Sequence, residues 1–114
     1  MTASEPAPAV RWVALGPLAD MAFDPGVTRT VEGREIAVFR RENAFFALDN
    51  SCPHAGGPLA EGDLDGDQVR CPWHGWGFDL NTGKCSFAHG GAVATYPVRV
   101  VAGGLEVGLP THHG

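Results

Sequence analysis

Cys52-Pro53-His54, then sixteen residues, then Cys71-Pro72-Trp73-His74: two short segments, each with one cysteine and one histidine, decide how this chain is read. Glycine and proline flank both, with Gly56, Gly57 and Pro58 after the first and Gly75 and Gly77 after the second. That is the composition of two loops converging on a metal. Structural zinc sites draw their ligands as Cys/Cys and His/His pairs, whereas here each pair is mixed. Cys-x-His is a tight spacing for two ligands on one tetrahedral ion. It is an easy spacing for two neighbouring ions, the thiolate on one and the imidazole on the other. A two-iron cluster with both cysteines on one iron and both histidines on the other fits both segments at once. A zinc ion held by two cysteines and two histidines, or an accidental cluster of core residues, stands as the alternative. Four ligands of this softness are rarely accidental.

The sequence around the ligands carries a family resemblance. Residues 52–62, CPHAGGPLAEG, and 71–80, CPWHGWGFDL, resemble the two cluster-binding boxes of Rieske proteins. The lead-in segments Ile36–Arg40 and Ala44–Asn50, and the Asn81-Thr82-Gly83-Lys84 turn, are similar to those of soluble Rieske ferredoxins. The resemblance spans residues 11–109. It implies an all-β fold, a Rieske-like antiparallel β-sandwich with a small cluster-binding subdomain of two loops. It also implies one 2Fe-2S cluster per chain, bound by Cys52, His54, Cys71 and His74. Around that cluster, Gly56, Gly57 and Gly75 are expected to let backbone N–H groups approach the sulfurs, or else simply to serve as turn residues. Pro58 is expected to stiffen the cover loop, and Trp73 and Trp76 to wall the cluster from solvent. High-potential Rieske proteins carry two further cysteines that link the cluster loops; the matching positions here are Gly57 and Trp73, so that bridge is absent. They also place a serine and a tyrosine where this chain has Trp76 and Phe78, neither of which can offer a hydroxyl to a cluster sulfur. A potential near the low end of the Rieske range, roughly −150 mV, is expected.

Composition sets the bounds. A chain of 114 residues is one domain. Glycine and proline together number 25, which suits an all-β protein with many turns. The net charge is −5 with no basic stripe, so nucleic acid is a poor partner and a basic docking surface on another protein a better one. If Cys52 and Cys71 bind iron, Cys85 alone remains of three cysteines. A chain without disulfides suits a reducing cytosol, and a cytoplasmic location is expected. Met1–Val10 carries no signal-peptide pattern and no stretch approaches about 18 apolar residues, so no membrane partner is expected.

Period-two alternation and turn residues lay out the strands. Residues 1–10 read as a disordered segment, 11–110 as the domain and 111–114 as a tail. Arg11–Leu15 reads as a strand broken by Gly16-Pro17. Val27–Val31, Ile36–Arg40 and Ala44–Leu48 form a meander turning at Glu32-Gly33 and Arg41-Glu42-Asn43. Asp63-x-Asp65-x-Asp67 invites a calcium loop but lacks the glycine and glutamate that such a loop needs, with Gln68 and His74 in their places. It reads as a solvated hairpin. Pairing Gln68–Arg70 with Trp76–Leu80 puts the second box at a hairpin tip. Ala94–Val101 and Leu105–Leu109 read as a last hairpin around Gly103-Gly104. His89, His112 and His113 read as surface residues, and Cys85 as a small buried apolar residue.

The function expected is that of a one-electron carrier and not an enzyme. The resemblance implies partners in a ferredoxin reductase and a terminal oxygenase. No flavin or nicotinamide fingerprint is present, and the chain has no second iron site for oxygenase chemistry. The small subunit of an assimilatory nitrite reductase shares the fold and stays open as an alternative, although some members of that branch lack the cluster ligands that this chain keeps. A zinc-stabilised binding module is the remaining reading.

Overall fold

A computed structural model describes residues 10–23, 26–51, 57–73, 75–86 and 91–110. Its organising strand is β3, Arg34–Arg41. Four consecutive β3 residues, Ile36, Ala37, Val38 and Phe39, have no solvent exposure. Successive strand residues face opposite sides of a sheet, so both faces of β3 must be covered. Ile36 and Val38 belong to one apolar core, with Val27, Val31, Ala47, Leu105, Val107 and Leu109. Ala37 and Phe39 belong to a second, with Leu48, Leu59, Val69, Cys71 and Phe78. The chain is therefore built in three layers around a central sheet, all of its ladders antiparallel.

Among the described residues ten strands make the layers. They are β1 (Val10–Pro17), β2 (Gly26–Val31), β3 (Arg34–Arg41), β4 (Ala44–Asp49), β5 (Asp63–Asp65), β6 (Gln68–Arg70), β7 (Gly77–Asp79), β8 (Thr95–Tyr96), β9 (Val98–Val101) and β10 (Gly104–Pro110). The central sheet has the order β2-β3-β4-β8. One of its faces is covered by the sheet β1-β10-β9. The other is covered by the small sheet β5-β6-β7 together with a short 3-10 turn, Leu59–Glu61. The all-β sandwich with a small subdomain expected from the sequence is what is found. The acidic segment is a hairpin, with Asp63 opposite Arg70 and Asp65 opposite Gln68. No helix among the described residues is long and apolar enough to cross a membrane.

The local chemistry explains the turns. Glu32-Gly33 joins β2 to β3 with φ of 51° and 81°. Positive φ at both central residues is what a two-residue type I′ hairpin needs. Asp79 holds the turn after β7: its Oδ1 accepts the N–H groups of Asn81 at 2.7 Å and Thr82 at 3.0 Å. Tyr96 ties the edge strand β8 to its neighbours. Its hydroxyl donates to Asp49 Oδ1 at 2.5 Å and accepts from Arg34 Nη1 at 3.0 Å. Burial, and then the bond to Asp49, hold its phenol pKa above the ordinary value.

Four sequence expectations are corrected. The first strand does not stop before Gly16-Pro17: the register shifts at a bulge between Ala14 and Gly16, where Gly16 takes φ of 121°, and pairing continues through Gly16 to Leu105 and ends with Pro17 opposite Gly104. A glycine read as a breaker is here the residue that absorbs the extra twist of a bulge. The strand also begins at Val10, inside the segment expected to be disordered. Finally, Ala94–Val101 is not one strand. It splits at Pro97, β8 pairing with β4 and β9 with β10. Proline has no N–H to give a ladder, but its carbonyl accepts from Gly108 at 2.9 Å, so the chain changes sheets there. The turn into β10 is Ala102-Gly103, with φ of 50° and 81°, and Gly104 lies within the strand.

Candidate metal centre

The second box sits at the tip of the β6–β7 hairpin, as its flanking strands suggested. Ladder pairing runs from Gln68 opposite Asp79 to Arg70 opposite Gly77. Beyond the ladder, Cys71 N–H donates to the Trp76 carbonyl at 2.9 Å and Gly75 N–H to the Cys71 carbonyl at 2.8 Å. These two bonds close the backbone at the hairpin tip. Gly75 takes φ of 79°, where a side chain would be strained. Arg70 braces the turn from outside, donating to the Gly75 carbonyl at 3.1 Å and to Asp65 Oδ2 at 2.7 Å.

The base of the first box is held differently. Ser51 and Pro58 form a single antiparallel bridge across the mouth of the loop. Beneath it lies Asn50, the one buried polar or charged residue among those described, at 4% exposure. Its backbone N–H donates to the Glu35 carbonyl at 3.0 Å, and its carbonyl accepts from Leu59 N–H at 2.7 Å. Its side-chain Oδ1 accepts from Ala60 N–H at 2.8 Å, while Nδ2 donates to Glu35 Oε1 at 3.2 Å. The sequence reading passed over Asn50 as part of the lead-in. The available signal was an amide residue closing an apolar strand just before a ligand loop.

The two loops meet at Gly57. A Cβ there would lie 2.8 Å from Cys71 Sγ and 3.1 Å from Trp73 Cγ. Only a glycine lets the first loop's backbone lie this close to the sulfur. Gly75 is a glycine for the other reason: a Cβ there would meet nothing within 4 Å, and its φ alone excludes side chains. Positions 57 and 73, where high-potential Rieske proteins carry their linking cysteines, do face each other.

Cys71 is 2% exposed and shares its core with Leu59, Val69 and Phe78. Phe78 is fully buried and Trp76 packs at the edge of the same core. Trp73 is 62% exposed, so it covers Gly57 with one face and leaves much of its ring in solvent. Beside the turn a cavity of about 370 Å³ is bordered by Glu61, Asp63, Arg70, Cys71 and Trp73. Cys52, His54, Gly56 and His74 lie outside the described residues, as do His89, His112 and His113.

These residues fit a cluster of low net charge. A buried thiol lies among apolar side chains, with a neighbouring backbone brought against its sulfur where a Cβ would close the gap. A group carrying several charges would be costly to bury there.

Comparison with known proteins agrees. The profile of the Rieske [2Fe-2S] domain matches residues 11–97. The ferredoxin component of the naphthalene 1,2-dioxygenase system of Pseudomonas putida is 35% identical over 92 residues, covering 80% of this chain and 88% of that protein. A chain in the complex of reduced oxygenase and oxidized ferredoxin of carbazole 1,9a-dioxygenase superposes with a TM-score of 0.70 at 31% identity, over 83% of this chain and 99% of that one. A structure described as a nitrite reductase small subunit from Mycobacterium tuberculosis superposes with a TM-score of 0.80 at 24% identity, over 91% and 99%, which speaks for the fold alone.

Proposed function

The chain belongs to the Rieske [2Fe-2S] domain family, and on that premise we propose that it is the ferredoxin of an oxygenase system, passing single electrons from a reductase to a terminal oxygenase. The observation that carries this reading is the convergence of two ligand loops at Gly57 and Cys71, in a chain whose relatives are ferredoxin components of dioxygenase systems. The protein is a carrier and not itself a catalyst. The cluster, when bound, supplies one-electron chemistry between a neutral and a singly negative state, and two histidine ligands place its potential above that of plant-type ferredoxins.

The chain's own residues hold and present that group. Cys52 and Cys71 bind as thiolates, His54 and His74 as neutral imidazoles. Trp76 and Phe78 keep water from the Cys71 side. The exposed ring of Trp73 stands at the hairpin tip, flanked by Glu61 and Asp63, and gives a partner an aromatic anchor beside carboxylates. Aromatic anchors of this kind dominate many interfaces, and the carboxylates suit a basic partner surface. A cytoplasmic setting follows from the cysteine usage.

The test is reconstitution. Purified protein should contain two irons and two acid-labile sulfides per chain, and should carry electrons from a flavin reductase to a Rieske oxygenase. Zinc at one ion per chain, or transfer only to a siroheme enzyme, would sink the reading. The transfer rate should fall as salt is raised, because surface charge is screened beyond about 8 Å at physiological ionic strength. Trp73→Ala should slow transfer and leave the potential unchanged.

A further inference from the structure

We infer that Asn50 is the positioning residue of the first cluster loop, its buried amide fixing the returning limb at Leu59 and Ala60 against the end of β4 and so setting where the base of that loop stands relative to Cys71. This rests on the cluster reading above but involves no partner protein.

The argument starts from what the loop lacks. The second box stands on a strand ladder that continues into its turn through the Cys71–Trp76 and Gly75–Cys71 bonds. The described limbs of the first box, the end of β4 and Pro58 with the turn Leu59–Glu61, share one bridge, Ser51 to Pro58. Among the described residues no ladder fixes their separation. Asn50 does so instead. It is the last residue before Ser51 on the outgoing limb. Both its carbonyls, backbone and side chain, accept successive N–H groups of the returning limb, at 2.7 Å from Leu59 and 2.8 Å from Ala60. The outgoing limb is clamped in turn to β3, by Asn50 N–H to the Glu35 carbonyl and by Nδ2 to the Glu35 carboxylate.

The side-chain amide is uniquely suited to this place. It must accept on one side, from a buried backbone N–H, and donate on the other, to a carboxylate. Aspartate could accept but not donate, and would set a second carboxylate against Glu35. Leu59 and Ala60 pack in the same core as Cys71, so the clamp references the first loop to the second. A carrier that gains and loses charge at each cycle needs its ligands held in place in both states, and outer residues that orient ligands are worth about 10–100-fold in metal affinity.

The experiment uses Asn50→Asp and the exchange Asn50→Asp/Glu35→Gln, which restores a donor–acceptor pair with its polarity reversed and the pair's charge unchanged. The readouts are the rate of cluster loss to a chelator and the line widths of the reduced cluster's paramagnetic resonance spectrum. Asn50→Asp should lose its cluster about tenfold faster, the low end of the effect of such outer residues, with broadened lines. The exchange should return both to wild type, which a merely bulk-stabilising role for Asn50 would not do for the line widths. Wild-type retention and lines in Asn50→Asp would overturn the inference, and so would failure of the exchange to restore them. If Asn50→Asp does not fold, a folded exchange variant with wild-type lines supports it and an unfolded one refutes it. A wild-type protein with normal spectra that fails to serve any oxygenase would refute the proposed function and leave this inference standing.

Discussion

The two loops that make the site are alike in sequence and unlike in construction. The second is the end of a hairpin: strands β6 and β7 pair up to Gly77 and the backbone closes the turn itself. The first begins after the end of β4, and a side chain, Asn50, ties its base as a ladder ties that of the other. A hairpin turn depends on its local backbone. A loop closed by a buried amide depends on the tertiary contacts that keep that amide dry, since an unmade buried hydrogen bond costs about 1–3 kcal/mol. Two loops of like sequence are thus closed at their bases by local and by non-local means.

The contrast between Gly57 and Gly75 offers the largest test. Gly57→Ala drives a methyl group into Cys71 Sγ and the Trp73 ring, overpacking worth about 1–3 kcal/mol. It should separate the loops, and the variant should purify with well under its full complement of iron and sulfide. A brown Gly57→Ala protein with unaltered iron content would show that the first loop yields freely. Gly75→Ala meets open space and pays only for the left-handed backbone, about 1–2 kcal/mol. It should lower the melting temperature while keeping the cluster. Loss of the cluster there, and not at position 57, would invert the comparison.

A finer test asks which loop sets the potential. Phe78 is fully buried in the core of the second loop. Phe78→Tyr should raise the potential by tens of millivolts. Its ceiling is roughly 65–130 mV, from a hydrogen bond to a charged group converted at one electron. A stability loss with an unchanged voltammogram would mean that the new hydroxyl is buried without reaching a sulfur. A wild-type potential above about +150 mV would refute the low-potential reading of positions 76 and 78.

The smallest effect belongs to the sandwich, away from both loops. Tyr96 has a phenol pKa raised above the ordinary 10.0, by burial and by the bond to Asp49. The folded state therefore binds this proton more tightly than the unfolded one. Its contribution to stability is whole below pH 10.0 and is lost as pH rises through the higher folded value. Denaturant midpoints taken across that range should fall more steeply for wild type than for Tyr96→Phe, with cluster absorbance at neutral pH the same in both. Equal slopes would remove Tyr96 from the account.

The amino-acid sequence by itself determined the family, the cluster, the all-β class, the β2–β3–β4 meander and the placing of the second box on a hairpin. Each of these rests on ligand type and spacing, on alternation or on turn residues, which act within a few positions of one another. Only the tertiary structure decided the rest. Gly57 and Gly75 look equivalent in sequence, yet one is set by a sulfur fourteen positions away in the chain and the other by its own φ. Gly16-Pro17 looked like a break and is paired strand after a bulge, because β10 runs alongside it as far as Pro17. Pro97 hands the chain from one sheet to another, because its neighbours on the two sides pair with different strands. Asn50 became legible only once Glu35 and Ala60 were seen on either side of it. Local chemistry fixes what a residue can do. Which of those things it does depends on partners that the fold brings from elsewhere in the chain.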